Sequence, residues 1–296
     1  MSEYILDWYQ WNYRPQHVKR PDWFKAWPGG ARIAVTIKVM VEWESTPHVR
    51  SRSGMPAGAF HKEDYIALCI REYGFKSGIW RILDILDRQA VKMTAMTSGL
   101  AAEIWPEAVR EVKKRGHEIA THQFDQAIIP PLFKSLEEER DSLLKSMDAI
   151  KRATGERPYG YMSPGPRPTP HTLDIIAQEG FVWNSDLHDA DFPYIMDING
   201  RKVVSLGYVR PGYTDNDLAE FGLSGGWQQL KDGFDAHYEE AAQHPMKFAY
   251  ALHIHNTGPG QGKILEKFIE YVKKHEGVWF CRCIDMANFW LEKGGR

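Results

Sequence analysis

Residues 31–41 read ARIAVTIKVMV. Their β-branched side chains recur with the period of two that a pleated strand imposes, so the stretch is read as a strand. It runs straight into Glu42, Trp43 and Glu44. Residues 43–76 then lack periodicity and carry Pro47, Gly54, Pro56 and Gly58. A connection that long predicts a lid, an interface or a site wall.

From residue 78 the chain alternates. Helical spacing places Ile79, Ile82, Leu83 and Leu86 on one face of a helix over 79–88. A strand follows at 92–97. The next helix, 106–115, has Pro106 at its first turn and Gly116 just past its end, the usual asymmetry of helix termini. Residues 118–121 read as a strand. Ser135 and Glu138 form a capping-box pattern that opens a helix reaching about residue 153. Strands are expected at 159–162, 181–184, 203–206, 248–253 and 278–280. Helices are expected at 170–179, 227–243, 263–274 and 285–293. Strands alternating with helices imply a parallel sheet, and this many units favour a barrel.

The bulk numbers agree with an α/β barrel. At 296 residues and 43% hydrophobic content, one large core is affordable. A formal net charge of -2 gives no reason to expect nucleic acid or an anionic membrane as partner. The cysteines, Cys69, Cys281 and Cys283, are too few and odd in number for a disulfide framework. Cys281 and Cys283 are read as small buried side chains. The opening MSEYILDWYQ lacks the basic and apolar runs of a secretion signal. The expectation is therefore a cytoplasmic protein acting on a small molecule, not on a cell-wall polymer. Residues 1–30, with Trp8, Tyr9, Trp11, Tyr13, Trp23, Phe24 and Trp27, are set apart as an aromatic arm. Such an arm packs on its own barrel or on a neighbouring subunit, and a homo-oligomer is expected. The barrel is expected to occupy residues 31–296.

In such barrels the site lies at the C-terminal ends of the strands. Those positions hold Glu42 and Glu44, His122, the Ser163-Pro-Gly turn, Asp186, His188, Asp189 and Asp191, and finally His253 and His255. Each has a plainer reading. His122 could be a core histidine bonded to backbone, Glu42 a solvated strand end, and 189–194 a simple turn. Their convergence on one rim favours a hydrolytic site, with bases to activate water and acids to protonate a leaving nitrogen. The glycines of NTGPGQG (256–262) lack the following Lys-Ser/Thr of a phosphate loop, which excludes nucleotide binding on that ground.

GHEIATH (116–122), ERPYGYMSPGPRPTPHTLDIIAQEGF (156–181), DADFPY (189–194) and ALHIHNTGPG (251–260) resemble the polysaccharide deacetylase, or NodB homology, family. The resemblance runs from about Arg32 to Ala287. Its flavour is closest to the cytoplasmic branch of allantoinase-like enzymes and cyclic imide hydrolases. It implies an irregular (β/α) barrel in a single domain.

It also implies a zinc site, from which this chain departs. Where the family keeps an Asp pair after its first strand, this chain has Glu42. Where the family keeps two histidines four apart, this chain has His122 and Gln126, and Gln126 offers only a neutral amide oxygen. The family's arginine before Ser-Pro-Gly is Met162 here, with Arg167 as a substitute. Catalytic zinc needs three good protein ligands. Glu42 and His122 supply two, and Asp125 would have to swing in as the third. Metal-free catalysis is the expectation, and a zinc enzyme using Glu42, His122 and Asp125 the alternative.

Without zinc, a carboxylate in an apolar pocket can have its pKa raised to ~6–7 and serve as base. Glu42 is assigned that role and His253 the acid. Asp191 is assigned to orient a histidine, and His122 to hold the oxyanion. Trp43, Glu44, Gln126, Arg167, Tyr194 and His255 are the candidates for substrate contacts, with Arg50 and Arg52 as further cations for a product carboxylate. A cyclic amide, imide or ureide suits this weaker machinery, because its ring nitrogen leaves more readily than that of an acetamide. The competing readings are a zinc-dependent deacetylase of a small N-acyl substrate and a non-catalytic ligand-binding barrel.

Overall fold

In the computed structural model, residues 18–45 and 65–294 are described. The strands are β1 (Ile33–Val41), β2 (Thr94–Thr97), β3 (Glu118–Thr121), β4 (Gly160–Tyr161), β5 (Trp183–Asn184), β6 (Tyr194–Ile198), β7 (Arg201–Ser205), β8 (Tyr213–Thr214), β9 (Met246–His253) and β10 (Val278–Phe280). The helices are α1 (Tyr65–Tyr73), α2 (Ile79–Arg88), α3 (Gly99–Ile104), α4 (Pro106–Lys114), α5 (Leu136–Thr154), α6 (Pro170–Gln178), α7 (Asp215–Ala219), α8 (Gly222–Glu240), α9 (Pro259–Val272) and α10 (Cys283–Gly294).

The strands follow the order β6-β7-β5-β4-β3-β2-β1-β9-β8. All ladders are parallel except β6–β7. No ladder joins β8 to β6 among the described residues, so the barrel is irregular and open at that seam. Strand β1 is the axis. One edge pairs with β9 from Ile33 to Met40. The other is shared by β10, at Ile33–Val35, and β2, at Lys38–Val41.

The alternation along β1 sorts its side chains. Ile33, Val35, Ile37, Val39 and Val41 pack outward into a buried layer with α2, α4, α8 and α9 residues such as Leu83, Val109, Phe234 and Phe268. Ala34 and Met40 face inward with Met96, Met162, Trp183 and Trp290. Strand β1 is buried along both faces, which is why it reads as nearly continuous apolar sequence.

Three differences from the sequence reading matter. Residues 65–76, expected to be part of a long loop, lie in α1 and a π-helical turn, Gly74–Gly78. Residues 194–198, read only as a strand-end run, form the antiparallel strand β6. It turns back into β7 through Asn199 and Gly200, both at positive φ, the preference of a type I′ hairpin. The Ser135 cap accepts from the Glu138 N–H at 3.2 Å, but the Glu138 carboxylate accepts from Lys134 N, so only half of the expected box forms.

The described part of the 1–30 segment packs on its own barrel. Trp27 donates to the Met246 carbonyl (2.7 Å) at the start of β9, and Phe24 packs edgewise on Trp27 and at a tilt against Trp290. Trp8, Tyr9, Trp11 and Tyr13 lie outside the described residues, as do Arg50 and Arg52. No helix among the described residues is long and apolar enough to cross a membrane.

Candidate active site

Glu42 follows β1 on its inward face and is 2% exposed. A carboxylate buried that deeply must be compensated, and three side chains converge on it. Arg71 reaches Oε2 at 3.0 Å. His122 Nε2 and His253 Nε2 face Oε1 at 3.4 and 3.6 Å. Arg71 also pairs with Glu44, and both ring nitrogens of His255 lie 2.7 and 2.8 Å from its Nη1.

Each partner is positioned by local sequence. His122 follows β3, and its Nδ1–H donates to the Met162 carbonyl at 2.7 Å. The next residue, Gln123, adopts φ 62°, a strained value for a non-glycine residue. Arg71 depends on the π-turn. A Cβ on Gly78 would lie 1.9 Å from the Ile254 carbonyl oxygen, and one on Gly74 2.9 Å from His255 N. Only glycine lets this turn press against the segment after β9. The π-turn places Arg71 opposite Glu42, and such insertions recur at functional sites.

His253 ends β9. Strand β8 pairs Tyr213 with Tyr250 and Thr214 with Ala251, so the next residue, Asp215, arrives beside His253. Asp215 Oδ1 accepts from His253 Nδ1 (2.6 Å) and Oδ2 from the His253 backbone N–H (2.8 Å). The Thr214 hydroxyl caps α7 by accepting from Asp217 N, which fixes the turn.

The electrostatics follow from these contacts. Burial pushes the Glu42 carboxyl upward, but the neighbouring His253, the hydrogen bond from His122 and the Arg71 charge outweigh it and hold Glu42 well below the usual carboxylate range. Burial also pushes His253 downward, but Glu42 and Asp215 outweigh it and raise it. The pair is therefore an ionised carboxylate against an imidazolium. The expectation of a raised Glu42 is corrected: apolar burial is present, but three cationic or donating neighbours defeat it.

Both imidazoles are anchored through Nδ1, so both Nε2 atoms turn toward one carboxylate oxygen. A neutral ring would present a lone pair there, which a carboxylate repels. A proton or a cation must lie between, and zinc is the family's choice. The residues present do not fit it. Among the described residues no three His, Cys, Asp or Glu side chains are placed to hold a metal ion. The second oxygen of Glu42 is occupied by a guanidinium. Asp125, the expected third ligand, spends Oδ1 on the backbone of Ser45 (3.2 Å) and Ala127 (3.0 Å).

Other predicted residues stand elsewhere. Asp191 is exposed, and its charge acts on Arg20, His237 and Lys247; Asp215, not Asp191, orients the histidine. Trp43 is buried edgewise against Phe75 and Trp105 and belongs to the core. Glu44 and His255 are gathered around Arg71. Gln126 donates its backbone N–H to Trp43 (3.2 Å), while its buried Oε1 has no partner. Tyr194 donates to Asp189 at 2.9 Å. Arg167 is exposed, with its guanidinium over Gly165. Beside it, a cleft of about 400 Å³ is lined by Pro166, Asp186, His188 and Arg210. Asp186 holds the Ser163-Pro-Gly turn through Ser163 N (2.7 Å) and Oγ (2.9 Å). Asp215 and Arg71 were missed. The Thr-Asp-Asn-Asp run at 214–217 was a helix-start signal that could have found the former.

An irregular parallel barrel carrying a carboxylate–histidine pair at its strand ends is the scaffold of a hydrolase. The family model for polysaccharide deacetylase matches residues 61–182. A Schizosaccharomyces pombe protein named for polysaccharide deacetylase is 26% identical, covering 90% of this chain and 92% of its own. A Pseudomonas aeruginosa PAO1 structure, also named for that activity, is 28% identical over 90% of this chain and 93% of that one, with a TM-score of 0.78. The structure of Puue allantoinase is 26% identical over 94% and 96%, with a TM-score of 0.80.

Proposed function

We propose that this hydrolase opens a cyclic amide, imide or ureide ring, without a metal, in the cytoplasm. The observation that carries the reading is the Glu42–His253 pair, backed by Asp215 on one side and Arg71 on the other. Water attacks the ring carbonyl while Glu42 takes its proton. The His253 imidazolium gives its Nε2 proton to the ring nitrogen as the C–N bond breaks. The products are a free carboxylic acid and an amide or urea nitrogen in one molecule. The proton on Glu42 then returns to His253 across 3.6 Å, which restores the resting pair.

Glu42 is a weak base while His253 is charged. Its basicity rises as His253 gives up its proton, so the two transfers favour each other. Of the two groups His253 is the more open, at 13% side-chain exposure against 2%, as a group that meets substrate should be. A ring nitrogen that leaves readily suits a site whose only acid is one imidazolium. Arg210, lining the cleft beside Asp186, offers a partner for the product carboxylate. The likeness to an allantoinase supports the ureide choice.

A second reading is favoured by one feature, the two Nε2 atoms turned toward a single carboxylate oxygen, which is also how zinc ligands are oriented. It is a zinc-dependent deacetylase of a small N-acyl substrate. One experiment separates the two. Purified protein is assayed for metal content, then tested before and after chelation against hydantoins, allantoin and succinimides, and against N-acetylated sugars. The first reading requires ring opening that survives chelation. Turnover confined to N-acetyl substrates and restored only by zinc would replace it with the second.

A further inference from the structure

The barrel interior holds two lysines that the reaction above does not use. Lys38 lies on the inward face of β1, four residues before Glu42, and is 2% exposed. Lys247 is near the start of β9 and is 6% exposed. The Lys38 ammonium donates to Ser185 Oγ (2.7 Å) and the Leu206 carbonyl (3.1 Å), and lies 4.2 Å from the centre of the Tyr208 ring. The Lys247 ammonium donates to the Gly207 carbonyl. All of these partners are neutral. Among the described residues neither ammonium has a carboxylate within ion-pair distance; beyond that distance Glu118 and Asp186 support the Lys38 charge, while Lys247 is opposed by Lys38 and supported by Asp189 and Asp191.

The two lysines line the same internal cavity, together with Thr36, Leu206, Gly207 and Cys283. Its volume is about 10 Å³, room for one small particle. Burying two like charges is costly unless something of opposite sign joins them. A water molecule would fill the space but add no opposite charge to the remote carboxylates that act on the two lysines. Cys283 does not help, since burial pushes its thiol up to about 11. His188, pushed down to about 4 by burial and by the neighbouring lysine charges, adds no charge of its own. Desolvation and Lys38 together push Lys247 down to about 7, so the protein alone supports the second charge poorly.

We infer that this cavity is a site for a monovalent halide-sized anion, clamped between the Lys38 and Lys247 ammonium groups. The anion completes the charge balance of the interior and ties β1 and β9 to the segment after β7. Its chemistry is that of chloride; a carboxylate or phosphate is too large for the space.

The direct test is diffraction from crystals of the full chain grown in sodium bromide, with data collected at the bromine edge. An anomalous peak in the cavity between the two ammonium nitrogens is expected, and it should vanish in Lys247→Met. In solution, replacing gluconate by chloride should raise the unfolding midpoint of the wild-type protein by about 2–4 °C beyond the rise in Lys247→Met. Lys38→Met serves as the second variant if Lys247→Met does not fold. A cavity that holds water with no anomalous signal overturns the inference. So does a peak that persists unchanged in the variants, or a midpoint equally sensitive to chloride in all three proteins.

Discussion

Replacing Asp215 by asparagine tests the site at its most specific point. The native carboxylate accepts two hydrogen bonds from the same residue, one from the His253 ring at 2.6 Å and one from its backbone at 2.8 Å, and it is fully buried. Asparagine keeps the shape but removes the charge. A hydrogen bond between charged groups contributes about 1.5–3 kcal/mol, so the loss of imidazolium stabilisation alone should slow the acid-dependent step roughly 10- to 150-fold. The amide can also turn its NH₂ toward Nδ1, which moves the ring proton to Nε2 in the neutral form and adds to the loss.

The sign of the pH effect follows from the direction of the shift. His253 is raised by Glu42 and Asp215, so it acts as an acid up to its raised pKa, and activity falls as pH climbs through that value. Removing Asp215 lowers that pKa, and the alkaline limb of kcat/KM should move to lower pH. A nitrogen-15 NMR titration of the His253 ring reads the same change without any substrate. A ring that titrates at the same pH in Asp215→Asn and wild type, with kcat within threefold, would refute the assignment of His253 as the acid.

Four further outcomes are expected. Glu42→Gln should fold normally and lose about 10²–10⁴ in kcat; turnover within a factor of a few of wild type removes Glu42 from the chemistry. His253→Ala should be far more damaging than His255→Ala, because His255 touches Arg71 and not Glu42; the opposite ranking would exchange their roles. Arg71→Met leaves Glu42 and Glu44 buried without their cation and should cost about 3–5 kcal/mol in urea unfolding at pH 7. Arg71 helps depress Glu42, whose stabilising contribution is present above its unfolded value and lost as pH falls through the folded one. The gap between variant and wild type should therefore narrow below about pH 4.5, and a gap independent of pH would show that packing, not charge, is lost. Gly78→Ala forces its Cβ into the Ile254 carbonyl and should cost about 1–3 kcal/mol, measured by the same denaturation.

The regular parts of this fold are written in short-range patterns. The outward Ile-Val-Ile-Val-Val of β1 and the Pro106 and Gly116 boundaries of α4 can be read without knowing what they touch. The Asn199-Gly200 hairpin is equally legible, since that dipeptide between two β-rich runs is a strong turn signal. Arg71 and Asp215 are different. Neither lies at the end of a long strand. Arg71 is delivered by a π-turn whose reason is the contact of Gly74 and Gly78 with residues 254 and 255, some 180 positions away. Asp215 is delivered by a two-residue strand whose register on β9 is a tertiary fact. What a periodicity argument finds is the scaffold and the residues the strands themselves carry, such as Glu42, His122 and His253.

The same distinction explains the error about Glu42. Sequence places it between Val41 and Trp43, and apolar flanks suggest a carboxyl forced toward neutrality. Burial does push that way, but the sign of a buried group's shift is set by the charges brought to it from elsewhere in the chain. Here they come from α1, β3 and β9. An ionised carboxylate held against an imidazolium divides the labour differently from a raised, free-standing base. In the proposed reaction the resting site stores its proton on His253, where the leaving nitrogen needs it, and keeps Glu42 open to receive one from water. Arg71 fixes one carboxylate oxygen and leaves the other to the histidines, so the proton taken from water enters on the side from which it can return to His253. This geometry couples the Glu42 carboxylate to the His253 imidazole, each shifting the other. Substitutions at Glu42 and His253 should therefore fall well short of additive when combined.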